Sequence, residues 1–139
     1  MNKIIILNGP NLNLLGEREK NQYGSFTLKD IEINCNEFAN KNNIALSLFQ
    51  SNIEGEIIDA LQSSKHDAIV LNAGGYTHTS VAIHDCVKAI KVPVIEVHIS
   101  NIADREAFRH TSLISPVAIG CIFGFGLKGY ELALNYFLD

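Results

Sequence analysis

Arg18 and Tyr23 lie five residues apart in a loop-like stretch that also holds Asn11 and Asn13. A free phenol titrates near 10, so only about 0.1% is ionised at pH 7. A neighbouring cation is one way to turn it into a base. Glu96 and His98 are two residues apart in an apolar run, a spacing that points both to one side of a strand. A carboxylate there can fix the imidazole tautomer and favour its protonated form. A charge inside a buried strand is costly unless paired, so Glu96 and His98 read as an acid–base site or as a satisfied buried ion pair. The stretch Asn72-Ala73-Gly74-Gly75 lets backbone approach a ligand and leads to His78. Its plainer reading is a strand-to-helix turn capped by Thr79 or Ser80. The Ile99 and Ser100 backbone N–H groups, with the Ser100 hydroxyl, could hold a carboxylate. Arg109 could clamp an anion with two hydrogen bonds, or be an ordinary surface arginine.

These residues need a scaffold that brings them together. Runs 4–7, 68–71, 94–97 and 117–122 are short, continuous and rich in Ile and Val, as strands buried on both faces are. Run 44–49 is less uniform and reads as an edge strand. Between them lie helical patterns: Leu28, Ile31, Cys35 and Phe38; then Ile57, Ile58 and Leu61 behind a possible capping box at Ser51 and Glu54; then Ile83, Cys86, Val87 and Ile90; and a last helix over 127–138. A short helical piece is expected near 104–110. Alternating strands and helices predict an α/β fold: a flavodoxin-like, doubly wound, five-stranded parallel sheet of order 2-1-3-4-5 with helices on both faces. Ligands of such sheets bind beyond the carboxyl ends of the strands. Loops 8–24, 50–52, 72–80 and 98–101 all fall there. Loop 8–24 is long for a compact domain, as lids and binding loops are.

With 139 residues, the chain is expected to form a single catalytic domain, 1–139. A net charge of −4 without a basic cluster argues against nucleic acid. No apolar run approaches the roughly 20 residues of a membrane span, and the start shows no signal-peptide pattern, so a cytoplasmic protein is expected. Cys35, Cys86 and Cys121 are too far apart for a metal framework and read as buried free thiols. No close His or Cys pairing suggests a metal. Gly124-Phe125-Gly126-Leu127-Lys128-Gly129 spells a dinucleotide fingerprint, but it follows the last strand rather than the first. Close helix–sheet packing explains it better. Asp85 lies opposite the buried stripe of its helix, either solvated or offered to another subunit. A flavin-binding or receiver domain is the competing class. It would call for a Ser/Thr/Gly-rich or acidic first loop, where this chain has Asn8-Gly9-Pro10-Asn11-Leu12.

Taken together, three segments resemble the type II 3-dehydroquinate dehydratases: Asn8-Gly9-Pro10-Asn11-Leu12 through Arg18-Glu19 and Tyr23-Gly24, then Asn72-Ala73-Gly74 through Tyr76-Thr77-His78-Thr79-Ser80, then Glu96-Val97-His98-Ile99-Ser100-Asn101. Arg105-Glu106, Phe108-Arg109, Ser115-Pro116 and Gly124 through Tyr130 extend the resemblance over essentially the whole chain. It implies a lyase of the shikimate pathway, converting 3-dehydroquinate to 3-dehydroshikimate through an enolate, without metal or organic cofactor. It implies Tyr23 as base, Arg18 as the group keeping it ionised, His98 as general acid, Asn11 organising a water or the enolate, and Glu96 in support. Asn72, His78, Ile99, Ser100 and Arg109 would bind substrate. The assembly would be a homododecamer built from trimers, with Asp85 reaching a neighbour's site. Two positions depart from the family pattern: Lys20 replaces a frequent proline and Gly75 a more usual alanine.

Overall fold

A computed structural model describes residues 2–17 and 19–138, without the Lys20 side chain. Five strands form one parallel sheet: β1 (Asn2–Asn8), β2 (Ile44–Gln50), β3 (Ala68–Asn72), β4 (Val94–His98) and β5 (Gly120–Phe123). Their order is β2-β1-β3-β4-β5, as the sequence pattern predicts. The helices are α1 (Lys20–Tyr23), α2 (Leu28–Lys41), α3 (Glu54–Ser63), α4 (Val81–Ala89) and α5 (Lys128–Tyr136).

Strand alternation divides the core in two. Ile4 and Ile6 of β1, Ala68 and Val70 of β3, and Ile95 and Val97 of β4 face α2 and α5. Leu7, Ile69, Leu71 and Val94 face α3 and α4. All residues of β3 and β4 are buried, which is why both read as continuous apolar runs. Glu96 and His98 share the parity of Val94, so they project toward the α4 side.

Local chemistry sets the helix starts. Thr27 and Asp30 form a reciprocal capping box at α2. Ser80 caps α4, accepting from Ile83 N at 2.9 Å. The capping box expected at Ser51 and Glu54 is absent. Ser51 Oγ instead accepts from Ile53 N and donates to Glu56 Oε1 at 2.5 Å, so α3 starts at Glu54 after an uncapped Ile53. The expected strand at 117–122 also moves. Pro116 sits in a 3-10 turn over Ser115–Val117, and pairing begins only at Gly120. The helical piece expected near 104–110 is two 3-10 turns, Ile102–Asp104 and Ala107–Arg109.

Cys35 and Cys86 are buried, whereas Cys121 is exposed. Cys121 lies on the edge strand β5 in register with Glu96, so its thiol is on the α4 side of the sheet, where it stays exposed. The glycines of the rejected fingerprint have two uses. A Cβ at Gly129 would pack 3.5 Å from Val97, which is close helix–sheet contact, while Gly124 and Gly126 adopt positive φ in the turn before α5. The loop after β1 is anchored rather than free: Leu12, Leu15 and Tyr23 are buried in the α2–α5 half of the core.

Candidate active site

One cleft opens at the carboxyl ends of β1, β3 and β4. Asn11, Tyr23, Asn72, His78, His98, Ile99, Ser100 and Arg109 all line it. Glu96 stands behind His98, fully buried. Asp85 does not line this cleft. Its side chain is 70% exposed on α4 and sits 3.0 Å from His84 Nδ1. Arg18 lies outside the described residues.

Tyr23 ends α1 and is 8% exposed. Its phenolic oxygen accepts a hydrogen bond from Arg105 Nη1 at 2.5 Å. The Arg105 carbon Cζ also lies 5.0 Å from the Tyr23 ring centre. The same guanidinium donates to Ser100 Oγ at 3.3 Å and to Glu19 Oε2 at 3.1 Å. Its side chain is only 4% exposed. Among the described residues Arg105 Nε has no hydrogen-bond partner; the Glu106 carboxylate is 3.6 Å away. A guanidinium bonds an oxyanion more strongly than a neutral oxygen. Arg105 was not singled out from the sequence for this place. The available signal was its position, seven residues past His98 on the loop that leaves the end of β4.

Glu96 and His98 form a buried pair, with His98 Nε2 2.7 Å from Glu96 Oε2. Thr77 Oγ1 donates to the same oxygen at 2.9 Å, and Ser112 Oγ at 2.7 Å. Ser115 Oγ donates to Glu96 Oε1. Burial alone would raise the Glu96 pKa, but the His98 bond and charge and the two serines outweigh it and bring it to about 2. An ionised carboxylate only accepts, so Nε2 of His98 carries a proton. That leaves Nδ1 as the ring nitrogen available for proton transfer.

His78 Nδ1 donates to Thr111 O at 2.8 Å. Burial lowers its pKa, against the opposing Thr111 bond, which favours a neutral ring with Nε2 free to accept. His78 stacks at 6.3 Å on His98. Arg109 Nε is held by both Glu106 oxygens at 3.3 Å, which keeps its side chain at the cleft rather than loose on the surface. Asn11 adopts a left-handed conformation, φ 67°, and its N–H donates to Asn52 Oδ1 at 3.0 Å. Gln50 Nε2 donates to that same Asn52 oxygen at 3.1 Å, so the end of β2 and the turn after it fix the start of the long loop. Asn52 was another residue whose positioning role was not read from the sequence.

A long loop holds a phenol against a guanidinium, beside a carboxylate-backed histidine. The family profile described as Dehydroquinase class II matches residues 2–138. The chain belongs to the class II dehydroquinase family. It is 52% identical to the 3-dehydroquinate dehydratase of Fusobacterium nucleatum, over 99% of this chain and 97% of that one. It is also 52% identical to the 3-dehydroquinate dehydratase of Francisella philomiragia, over 94% of this chain and 90% of that one. The crystal structure of the type II dehydroquinase from Butyrivibrio crossotus superposes with a TM-score of 0.94 at 47% identity, covering 96% of this chain and 95% of that one. The class II dehydroquinase fold is therefore the sheet described above. Among the described residues there is no group of three or more His, Cys, Asp or Glu placed to hold a metal ion. Nor is any described helix long and apolar enough to cross a membrane.

Proposed function

We propose that this chain is a 3-dehydroquinate dehydratase acting in the shikimate pathway, as one catalytic domain in the cytoplasm, and that its side chains do the chemistry without a cofactor. The observation that carries the reading is that Tyr23, bonded to Arg105, and His98, backed by Glu96, line the same cleft.

In this reading the Tyr23 phenolate removes a proton from the carbon beside the substrate ketone. The electron pair moves onto the carbonyl oxygen and gives an enolate. Asn11 organises a water or the enolate itself. The enolate then re-forms the ketone and expels the hydroxyl from the next carbon, which leaves as water with a proton from His98. Transfer of the proton gained at Tyr23 back to His98 resets the site. Arg105 supplies positive charge at the base, and Arg18 is assigned to share that task. Glu96 holds the His98 tautomer so that Nδ1 faces the transfer. Asn72 and neutral His78 fit hydroxyl groups, while Ile99, Ser100 and Arg109 fit the carboxylate.

The subunits are proposed to assemble as a dodecamer of trimers, with Asp85 reaching a neighbour's site. Its outward, largely exposed carboxylate suits that role. The assay is the rise in ultraviolet absorbance as 3-dehydroquinate becomes a conjugated enone. No rise with the pure protein removes the assigned reaction. A monomeric mass in solution removes the role of Asp85.

A further inference from the structure

β1 and β3 end side by side, with Asn8 in register with Asn72. Both carry amides on the side of the sheet that Ile4, Ile6, Ala68 and Val70 make apolar. Each is only 2% exposed. Two buried amides in such a place are costly unless bonded. Their common partner is Tyr130 of α5, which is fully buried. Its hydroxyl donates to Asn8 Oδ1 at 2.6 Å and accepts from Asn72 Nδ2 at 2.9 Å. Burial raises the Tyr130 pKa despite the opposing Asn72 bond, so the donated proton stays in place.

The link continues into both site loops. Asn72 Oδ1 accepts from Gly74 N at 3.1 Å, and Gly9 N donates to Asn72 O at 2.7 Å. A Cβ on Gly9 would lie 2.5 Å from Ala73 O, and one on Gly74 would lie 3.1 Å from Pro10 O. The loop bearing Asn11 and the loop bearing His78 therefore touch along their backbones. The phenol of Tyr130 holds the two strand ends from which they spring. Tyr130 itself does not line the cleft.

We propose that Tyr130 is a positioning residue for the dehydration: its hydroxyl sets the Asn72 amide and the spacing of the Asn11 and His78 loops without touching substrate. This rests on the proposed reaction, in which Asn72, Asn11 and His78 contact the substrate or the enolate. A buried hydrogen-bonded network of this kind rigidifies its members and fixes one arrangement. Misplacing groups around a reacting centre by about 1 Å can cost about 100-fold in rate.

The test is Tyr130→Phe in the full chain, with Asn8→Ala breaking the same link while keeping the aromatic core. Either change is expected to lower kcat/KM for 3-dehydroquinate by about 10- to 100-fold with far-ultraviolet dichroism unchanged. The double variant is expected to be no slower than the worse single one. Hydrogen exchange resolved to single amides is expected to quicken about ten-fold or more at Gly9 and Gly74 while Val70 keeps its protection. With an active wild type, turnover of the folded variants within two-fold of it, or losses that multiply, overturns the proposal. Should Tyr130→Phe not fold, Asn8→Ala decides by the same criteria. The exchange readout needs no substrate. Unchanged exchange at Gly9 and Gly74 breaks the link itself, whereas an inactive wild type defeats the assigned reaction instead.

Discussion

Arg105 and Tyr23 are 82 residues apart in sequence and 2.5 Å apart in space, the guanidinium donating to the phenolic oxygen. The contact joins the loop after β4 to the loop after β1. It places a buried cation where a proton-abstracting oxygen would carry its charge. Coulomb energy grows as the surroundings become less polar, so the 4% exposure of Arg105 matters as much as the distance.

Arg105→Ala is therefore expected to lower kcat by about 100- to 1,000-fold, the range seen when one donor to a reacting oxyanion is removed. Glu19→Ala removes only the outer anchor of the same guanidinium, from a side chain that is 55% exposed. It should cost less than about 10-fold. Steady-state turnover of the two variants separates charge at the base from simple anchoring of the loop. Equal losses would assign Arg105 to anchoring alone.

Glu96 gives a pH dependence with a definite sign. Its folded carboxyl titrates at about 2, below the ordinary value of 4.5. The unfolded chain therefore binds the proton more readily. The stabilisation is present above about pH 4.5 and is lost as pH falls toward 2. Glu96→Gln should flatten this part of the acid-unfolding curve and cut turnover by about 100-fold by releasing His98. Unfolding monitored by dichroism between pH 5 and 2 checks the first outcome. An identical acid midpoint in the variant would contradict it.

Asn52→Ala removes the acceptor for the Asn11 N–H, where the backbone is held at φ 67°. Asn52 is exposed, so the melting temperature should move little while kcat drops about 10-fold. Thermal melts and turnover on the same sample distinguish this from general loosening.

The fold was legible because its signals are local. β3 and β4 are apolar on both faces, and the helices between strands repeat at three and four residues. The strand order follows from that alternation and from the weaker β2 pattern. β5 is expected three residues too early because Val117 and Ile119 look strand-like, while Pro116 and a 3-10 turn over Ser115–Val117 hold the backbone out of the sheet until Gly120. At the site, Glu96 and His98 were legible from strand parity, and Asn72 from its glycine turn. Arg105 and Tyr130 were not. Their partners lie 82 and 122 residues away, and no spacing within one segment encodes such a contact. Parity does show that Asn8 and Asn72 continue the Ile4–Ile6 and Ala68–Val70 side, so two buried amides there needed a partner from α5 or α2.

The most direct test follows enone absorbance from 3-dehydroquinate for the wild type and Tyr23→Phe side by side. The wild type should turn over substrate. The variant, with the same dichroism spectrum, should be slower by at least about 1,000-fold, because removing the proton-abstracting oxygen forfeits several kcal/mol of barrier lowering. A folded Tyr23→Phe protein that dehydrates substrate within a few-fold of the wild-type rate would contradict the assignment of Tyr23 as the base.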